Sequence, residues 1–460
     1  MTTTLTFLGG AGGTVTGSKH LLENGASRVL LDCGLFQGLK ELRRRNWAAP
    51  PVDPRTLGAV ILSHAHIDHS GYLPRLCHDG FTGPIHCTPG TSDLLQVMLP
   101  DAAHLQEEEA AFANRHHTSK HDPALPLYTT GDAERALAQV KRVDFGQPFT
   151  ATRGVVAHFT PSGHILGAGL VTCEIGGRRL VFSGDLGRYG VPIMMDPEPV
   201  AEADVLLVES TYGNRVHPPD DPIDRLTAAV RRAVDQKGWL LIPAFAVGRS
   251  QEILYDLRRL EAEGRIPSLP VYLDSPMAIQ ATVIYASHPE EHDPALRQAA
   301  AGGKRPFAPR RFHLSQTVDE SKRLNEVDGP GIIVAGSGMA TGGRILHHLR
   351  RRLPDPKTTV LFVGYQAAGT RGRSLKDGAR ELKMLGAMVP VNATIMASDA
   401  YSAHADREEI LRWLGGFKRP PGMTYVVHGE AGAADALRDA IASRLGWNAA
   451  VAQDGQRVTL

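Results

Sequence analysis

Within six positions, His64-x-His66-x-Asp68-His69, the chain places three imidazoles and a carboxylate. His64 and His66 can share one metal ion, and Asp68 and His69, set just after them, can turn toward a second. Ligands packed this densely need a rigid support. The preceding run Leu57-Gly58-Ala59-Val60-Ile61-Leu62 is short, apolar and partly β-branched, which predicts a buried strand. Ser70-Gly71 follows and predicts a turn. The cluster therefore sits on a loop at a strand end, where a sheet holds reactive groups still. Scattered core or surface histidines do not produce this spacing.

This motif resembles the signature of the metallo-β-lactamase superfamily. The resemblance implies an αββα sandwich, two β-sheets flanked by helices, holding two zinc ions. Further residues at strand ends agree with it. His164 stands among small residues in Ser162-Gly163-His164-Ile165-Leu166-Gly167, and Asp185 ends the apolar run Leu180-Val181-Phe182-Ser183-Gly184. By resemblance His164 completes the first zinc site and Asp185 bridges both ions. Asp32, closing Arg28-Val29-Leu30-Leu31, is expected to stand behind the ligands and orient them.

The resemblance then narrows. Glu209 in Glu-Ser-Thr-Tyr-Gly, His404 in Ser402-Ala403-His404-Ala405-Asp406 and His428 in Val427-His428-Gly429-Glu430 resemble motifs A, B and C of the β-CASP nucleases. Histidine at motif C is what members acting on RNA carry. The set implied is His64, His66 and His164 on one zinc and Asp68, His69 and His428 on the other. Asp185 lies between them, and His404 acts as proton donor supported by Glu209. The implied chemistry is metal-assisted hydrolysis of phosphodiester bonds in single-stranded RNA, with Asp68 counted among the catalytic residues.

Length and pattern fit two domains. A chain of 460 residues is too long for one ordinary core. From Asp221 onward helix and strand alternate, with a helix over Ile223–Gln236 and strands predicted at Trp239–Phe245, Pro270–Leu273, Gly331–Ala335 and Thr359–Gly364. Such alternation implies a parallel sheet. The expected organisation is an α/β chain whose metallo-β-lactamase domain spans 1–208 and 384–460, with an α/β β-CASP domain inserted over 209–383. The strand near Val391–Ala397 is assigned to the first domain. Leu94, Leu95, Met98, Leu105 and Phe112 are spaced for a buried helix face.

Composition adds a charge argument. Net charge is only +1, yet residues 301–384 hold 16 Lys and Arg against 7 Asp and Glu. That surplus predicts a polyanion footprint. Ala335-Gly336-Ser337-Gly338-Met339-Ala340-Thr341-Gly342-Gly343-Arg344 follows a strand and opens a helix, so its backbone amides suit an anion. It lacks the Lys-Ser/Thr of a Walker A loop. Gly9-Gly10-Ala11-Gly12-Gly13 likewise misses dinucleotide spacing. The expected substrate contacts are Ser337, Gly338, Met339, Thr341, Gly342, Arg344, Arg249 before a helix capped by Ser250, Arg371 and Ser402.

The four cysteines, Cys33, Cys77, Cys87 and Cys173, have no CxxC spacing and suggest buried thiols in a reducing cytoplasm. No run of eighteen apolar residues predicts a membrane span, no leader is expected at the N-terminus, and a homodimer is admitted. A compact endonuclease of the polyadenylation-factor type is favoured over an exonucleolytic ribonuclease J type, because no added C-terminal module is expected. A DNA nuclease would differ at His428, and a small-molecule hydrolase would leave the insert without purpose.

Overall fold

A computed structural model describes residues 2–218, 222–301, 305–367 and 369–460. The chain divides into two compact units, residues 1–216 with 404–460, and residues 217–403.

Among the described residues the first unit holds two seven-stranded sheets. One begins with Thr3–Gly9, Lys19–Asn24 and Ser27–Leu31 as antiparallel neighbours and continues in parallel through Ala59–Ile61 and Ile85–Cys87. The other pairs Met423–Val427, Val205–Glu209 and Arg178–Phe182 in parallel, then Gly169–Ile175 and Val155–Pro161 antiparallel. Strand Thr3–Gly9 alternates buried and half-buried residues. Its Leu5 and Phe7 meet Phe159, Phe182, Leu207 and Tyr425 in one core between the sheets. A second core lies against helices Arg407–Leu414 and Ala431–Ala440, filled by Ile410, Trp413 and Leu437. This is the αββα sandwich.

The long helix Pro89–His116 buries Leu94, Leu95 and Met98 but exposes Leu105 and Phe112, contrary to expectation. Its second half turns Ala103 and Ala110 inward instead, while Gln106 and Glu107 accept the Leu127 and Thr130 amides. None of His104, His116, His117 and His121 is buried.

The second unit holds a parallel sheet ordered Arg311–Leu314, Pro270–Leu273, Gly331–Ala335, Trp239–Pro243, Thr359–Val363, Thr394–Ser398. Its central strands, Trp239–Pro243, Gly331–Ala335 and Thr359–Val363, are buried at every position. That is why they read as unbroken apolar runs rather than alternating ones. Two sequence assignments change. Strand Thr394–Ser398 does not return to the sandwich; it pairs Thr359–Val363 as the last strand of this parallel sheet. The chain enters the second unit after residue 216 and leaves it after 403, against the expected limits of 209 and 383. Helix Arg249–Ala262 is preceded by Gly248 at φ 80°, not capped by Ser250, whose hydroxyl donates to the Phe245 carbonyl (2.7 Å). No helix among the described residues is long and apolar enough to cross a membrane.

Candidate metal centre

All seven expected ligands, with Glu209 and His404, lie in the first unit, and all but His404 sit at or just beyond strand ends of its two sheets. His64 and His66 leave strand Ala59–Ile61, and Asp68 and His69 sit on a one-turn helix, Ile67–Ser70, rather than an open turn. Three groups of potential ligands form: His64, His66, His164 and Asp185; Asp68, His69 and His428; Asp185, Glu209 and His404.

The distances are close. His66 Nδ1 lies 3.1 Å from His64 Nε2 and 3.2 Å from His164 Nε2. His69 Nε2 and His428 Nε2 stand 3.0 Å apart, with Asp68 Oδ2 3.5 Å from the latter. Asp185 reaches both groups. Its Oδ2 is 3.4 Å from His64 Nε2 and 3.5 Å from His164 Nε2, and its Oδ1 is 3.4 Å from His69 Nε2.

These residues fit a divalent cation. Two imidazole nitrogens on one tetrahedral zinc stand about 3.3 Å apart, close to the spacings here. Burial first, then neighbouring imidazoles, push His64 well below its ordinary value, and burial brings His66 down to about 4, so both rings are neutral as ligands must be. Burial also opposes charge on His69, yet Asp185 and Asp32 lift it to about 10. Carboxylates thus converge on a point that calls for positive charge. Asp185 Oδ1 is buried and accepts no hydrogen bond among the described residues.

Asp32 organises this arrangement. It is fully buried in a left-handed conformation (φ 58°) that non-glycine residues seldom adopt. Oδ1 accepts the Ser63 amide (2.8 Å), and Oδ2 accepts the hydroxyls of Ser18 (3.1 Å) and Ser63 (3.0 Å) and the Nδ1 proton of His69 (2.6 Å). With its proton given to Asp32, Ser63 Oγ accepts from His64 Nδ1 (3.0 Å). One carboxylate therefore anchors the outer nitrogens of two rings, directly or through Ser63, and turns both Nε2 atoms inward. Ser18 and Ser63 were not singled out in the sequence, nor was Thr211, whose hydroxyl lies 3.3 Å from His428 Nδ1. Their signal was position alone: Ser63 directly precedes the motif, and Thr211 lies inside Glu-Ser-Thr-Tyr-Gly.

Glu209 is fully buried. Its Oε1 accepts the Leu186 amide (2.7 Å) and faces His404 Nδ1 (3.2 Å), while Oε2 accepts the Thr211 amide (3.1 Å). Burial disfavours a charged His404, but Glu209 and then Asp185 outweigh it and raise the imidazole to about 9.

The substrate-contact residues expected from sequence lie in the second unit, and two do not fit that role. Arg249 is buried and ion-paired with Glu252. Arg344 donates to Asp274 Oδ1 (2.7 Å) and to the carbonyls of Ser315 and Gln316 (both 2.8 Å). Arg371 donates to the carbonyls of Lys383 (3.0 Å) and Thr341 (3.2 Å). Ser402 is buried. Ser337 and Thr341 pair their hydroxyls at 3.0 Å, and Gly338 lies so close to Phe245 that a Cβ would meet its ring at 2.9 Å. Ala368, in the loop before Arg371, lies outside the described residues.

A sandwich with two facing ligand groups that share one aspartate defines a metallohydrolase. Family models agree: residues 13–244 match the metallo-beta-lactamase superfamily, 250–375 the Beta-Casp domain, and 388–452 the Zn-dependent metallo-hydrolase RNA specificity domain. The chain is 37% identical to ribonuclease TTHA0252 of Thermus thermophilus, across 98% of each chain. It is 31% identical to transcription termination factor FttA of Methanosarcina mazei, over 93% of this chain and 67% of that one. It is 30% identical to an RNase J-like protein of Methanocaldococcus jannaschii, over 89% and 88%. A protein of unknown function from Enterococcus faecalis shares the fold at TM-score 0.56 and 13% identity, over the whole of both chains. The chain belongs to the metallo-β-lactamase superfamily, in its β-CASP ribonuclease branch, and is a metal-dependent hydrolase.

Proposed function

We propose that the chain hydrolyses phosphodiester bonds of single-stranded RNA endonucleolytically, at a centre of two zinc ions. The observation that carries this reading is the Glu209–His404 pair set beside two ligand groups, with Asp185 within 3.4 Å of a histidine in each. A relative named as a ribonuclease, similar over nearly the whole chain, supports RNA as substrate. His64, His66 and His164 would hold one ion, Asp68, His69 and His428 the other, with Asp185 toward both. When bound, the two ions supply Lewis-acid chemistry, activating a water and offsetting phosphate charge.

The chain's own residues do the rest. Asp32 keeps the His64 and His69 lone pairs turned inward. Glu209 anchors His404 through Nδ1 and favours its protonated form, and His404 then delivers a proton from Nε2 to the leaving oxygen. Ser337, Gly338, Met339, Thr341 and Gly342 form a backbone and hydroxyl cradle for a phosphate. Arg371 borders it, and Ser402 belongs to the segment leading into His404. The four cysteines are buried and unpaired, which supports a reducing compartment such as the cytoplasm.

Digestion of RNA labelled at both ends tests the mode. Internal fragments appearing before mononucleotides support endonucleolytic cleavage; stepwise loss from the 5′ end supports the exonuclease alternative. Elemental analysis of the purified protein should return about two zinc ions per chain. A content of one ion or none with full nuclease activity would rule out the two-metal centre.

A further inference from the structure

The arginines that the sequence singled out are engaged inside the fold, but another set is not. Arg258, Arg305 and Arg310 make no hydrogen bond or ion pair through their side chains among the described residues. All three line one open recess of about 510 Å³, together with Phe312 and Leu314.

The recess is built from ordered parts. Arg258 projects from helix Arg249–Ala262. Phe312 and Leu314 share one face of strand Arg311–Leu314, by the two-residue alternation of strands. The segment before that strand is pinned twice. Phe307 is buried and packs edge-on against Tyr285 (6.4 Å) and His292 (6.3 Å). The Arg310 amide donates to Glu261 Oε2 (2.7 Å), one helical turn beyond Arg258. Glu261 therefore turns one oxygen to a backbone amide rather than to a guanidinium. Even with its charge set against the three arginines, two positive charges remain facing the recess. Leu314 is exposed and Phe312 half-buried, so apolar surface lies among these charges.

Strand Arg311–Leu314 is the edge of its sheet, where charge also discourages pairing with a second sheet. Edge protection needs charge alone. It does not need three guanidinium groups converging on a hollow with an aromatic side chain in it. That combination suits phosphates held by arginine beside unstacked bases on an apolar face. We infer that the recess is an exosite for single-stranded RNA, on the unit that lacks the metal centre. It takes the backbone and an unpaired base of a long RNA. This inference rests on the ribonuclease reading above.

Cleavage kinetics on two RNAs test it, one of roughly 30 nucleotides and one of roughly 6, too short to occupy a second site. The holoenzyme is compared with R258Q/R305Q/R310Q and with R258K/R305K/R310K across a salt series. For the glutamine variant, kcat/KM on the long RNA should fall by roughly tenfold or more at low salt. Its log–log salt slope should flatten by about 2, the value for three phosphate contacts on a single strand. On the short RNA kcat/KM should stay within about twofold, and kcat should hold on both, because a contact that takes no part in the chemistry acts through binding. The lysine variant should keep the wild-type slope. Unchanged kinetics on the long RNA would leave the arginines as edge protection and overturn the exosite. So would equal losses on both RNAs, or a lysine variant as impaired as the glutamine one. A wild-type enzyme that cleaves neither RNA strikes the ribonuclease reading itself, before any variant is compared.

Discussion

Replacing His404 with alanine should lower the single-turnover rate of RNA cleavage by roughly 10²–10⁴-fold while zinc content is unchanged. His404 Nδ1 faces Glu209 at 3.2 Å and stands 3.9 Å from Asp185 Oδ2, so it is tied to a carboxylate outside both histidine groups. RNA affinity should change little, because proton donation matters only as the transition state forms. A substrate whose leaving atom is sulfur needs no proton and should recover much of the lost rate. His428→Ala should behave differently. Its ring meets His69 Nε2 at 3.0 Å and Asp68 at 3.5 Å, so metal and rate should be lost together. If His404→Ala strips a zinc, or the sulfur substrate fails to rescue it, His404 is a ligand or a structural residue and not the acid.

The candidate ligands were legible because metal chemistry demands rare residue types, and these stand at strand ends. A histidine or a carboxylate closing a buried apolar run stands out against it, as His64, Asp185 and Glu209 all do. Their supports did not stand out. Ser18, Ser63 and Thr211 read as ordinary turn residues until packing brings their hydroxyls to Asp32 and His428. Serine and threonine are common in turns, so only the partner reveals the role.

Charge was the least legible property. A count of lysines and arginines cannot tell a free guanidinium from a paired one. Arg249 and Arg344 looked available, but the fold turned each toward a carboxylate, Glu252 and Asp274. Arg258, placed in the sequence among ordinary helix residues, is left facing a recess together with Arg305 and Arg310. The strand Thr394–Ser398 was misassigned for a related reason. It completes a parallel sheet by backbone pairing with Thr359–Val363, and an apolar run carries no mark of which sheet it joins.

Removing the Asp274 carboxylate should destabilise the second unit by roughly 3–5 kcal/mol, because it leaves buried partners uncompensated. Asp274 follows strand Pro270–Leu273 and is fully buried. Oδ1 accepts from Arg344 Nη1 (2.7 Å), and Oδ2 accepts from Ser321 Oγ (2.6 Å) and faces His348 Nε2 (2.6 Å). It thereby ties the strand to helices Val318–Arg323 and Ile345–Arg352 and to the end of the glycine-rich loop. Against a total stability of roughly 5–15 kcal/mol, Asp274→Ala should bring that unit close to unfolding. Trp239, buried in this unit, should report the loss as an earlier denaturant midpoint in fluorescence. Zinc content should hold, since every proposed ligand belongs to the other unit. The pH dependence follows with a definite sign. Burial works against the charge, but hydrogen bonds from His348, Ser321 and Arg344 prevail and hold the carboxyl below its ordinary range. Its contribution is therefore complete above the unfolded value of about 3.9 and is lost as pH falls through the lower folded value. The stability gap between wild type and Asp274→Asn should be widest near neutrality and narrow only in acid below about pH 4. An Asp274→Ala protein that melts within about 0.5 kcal/mol of wild type at pH 7 would show that the carboxylate holds nothing together.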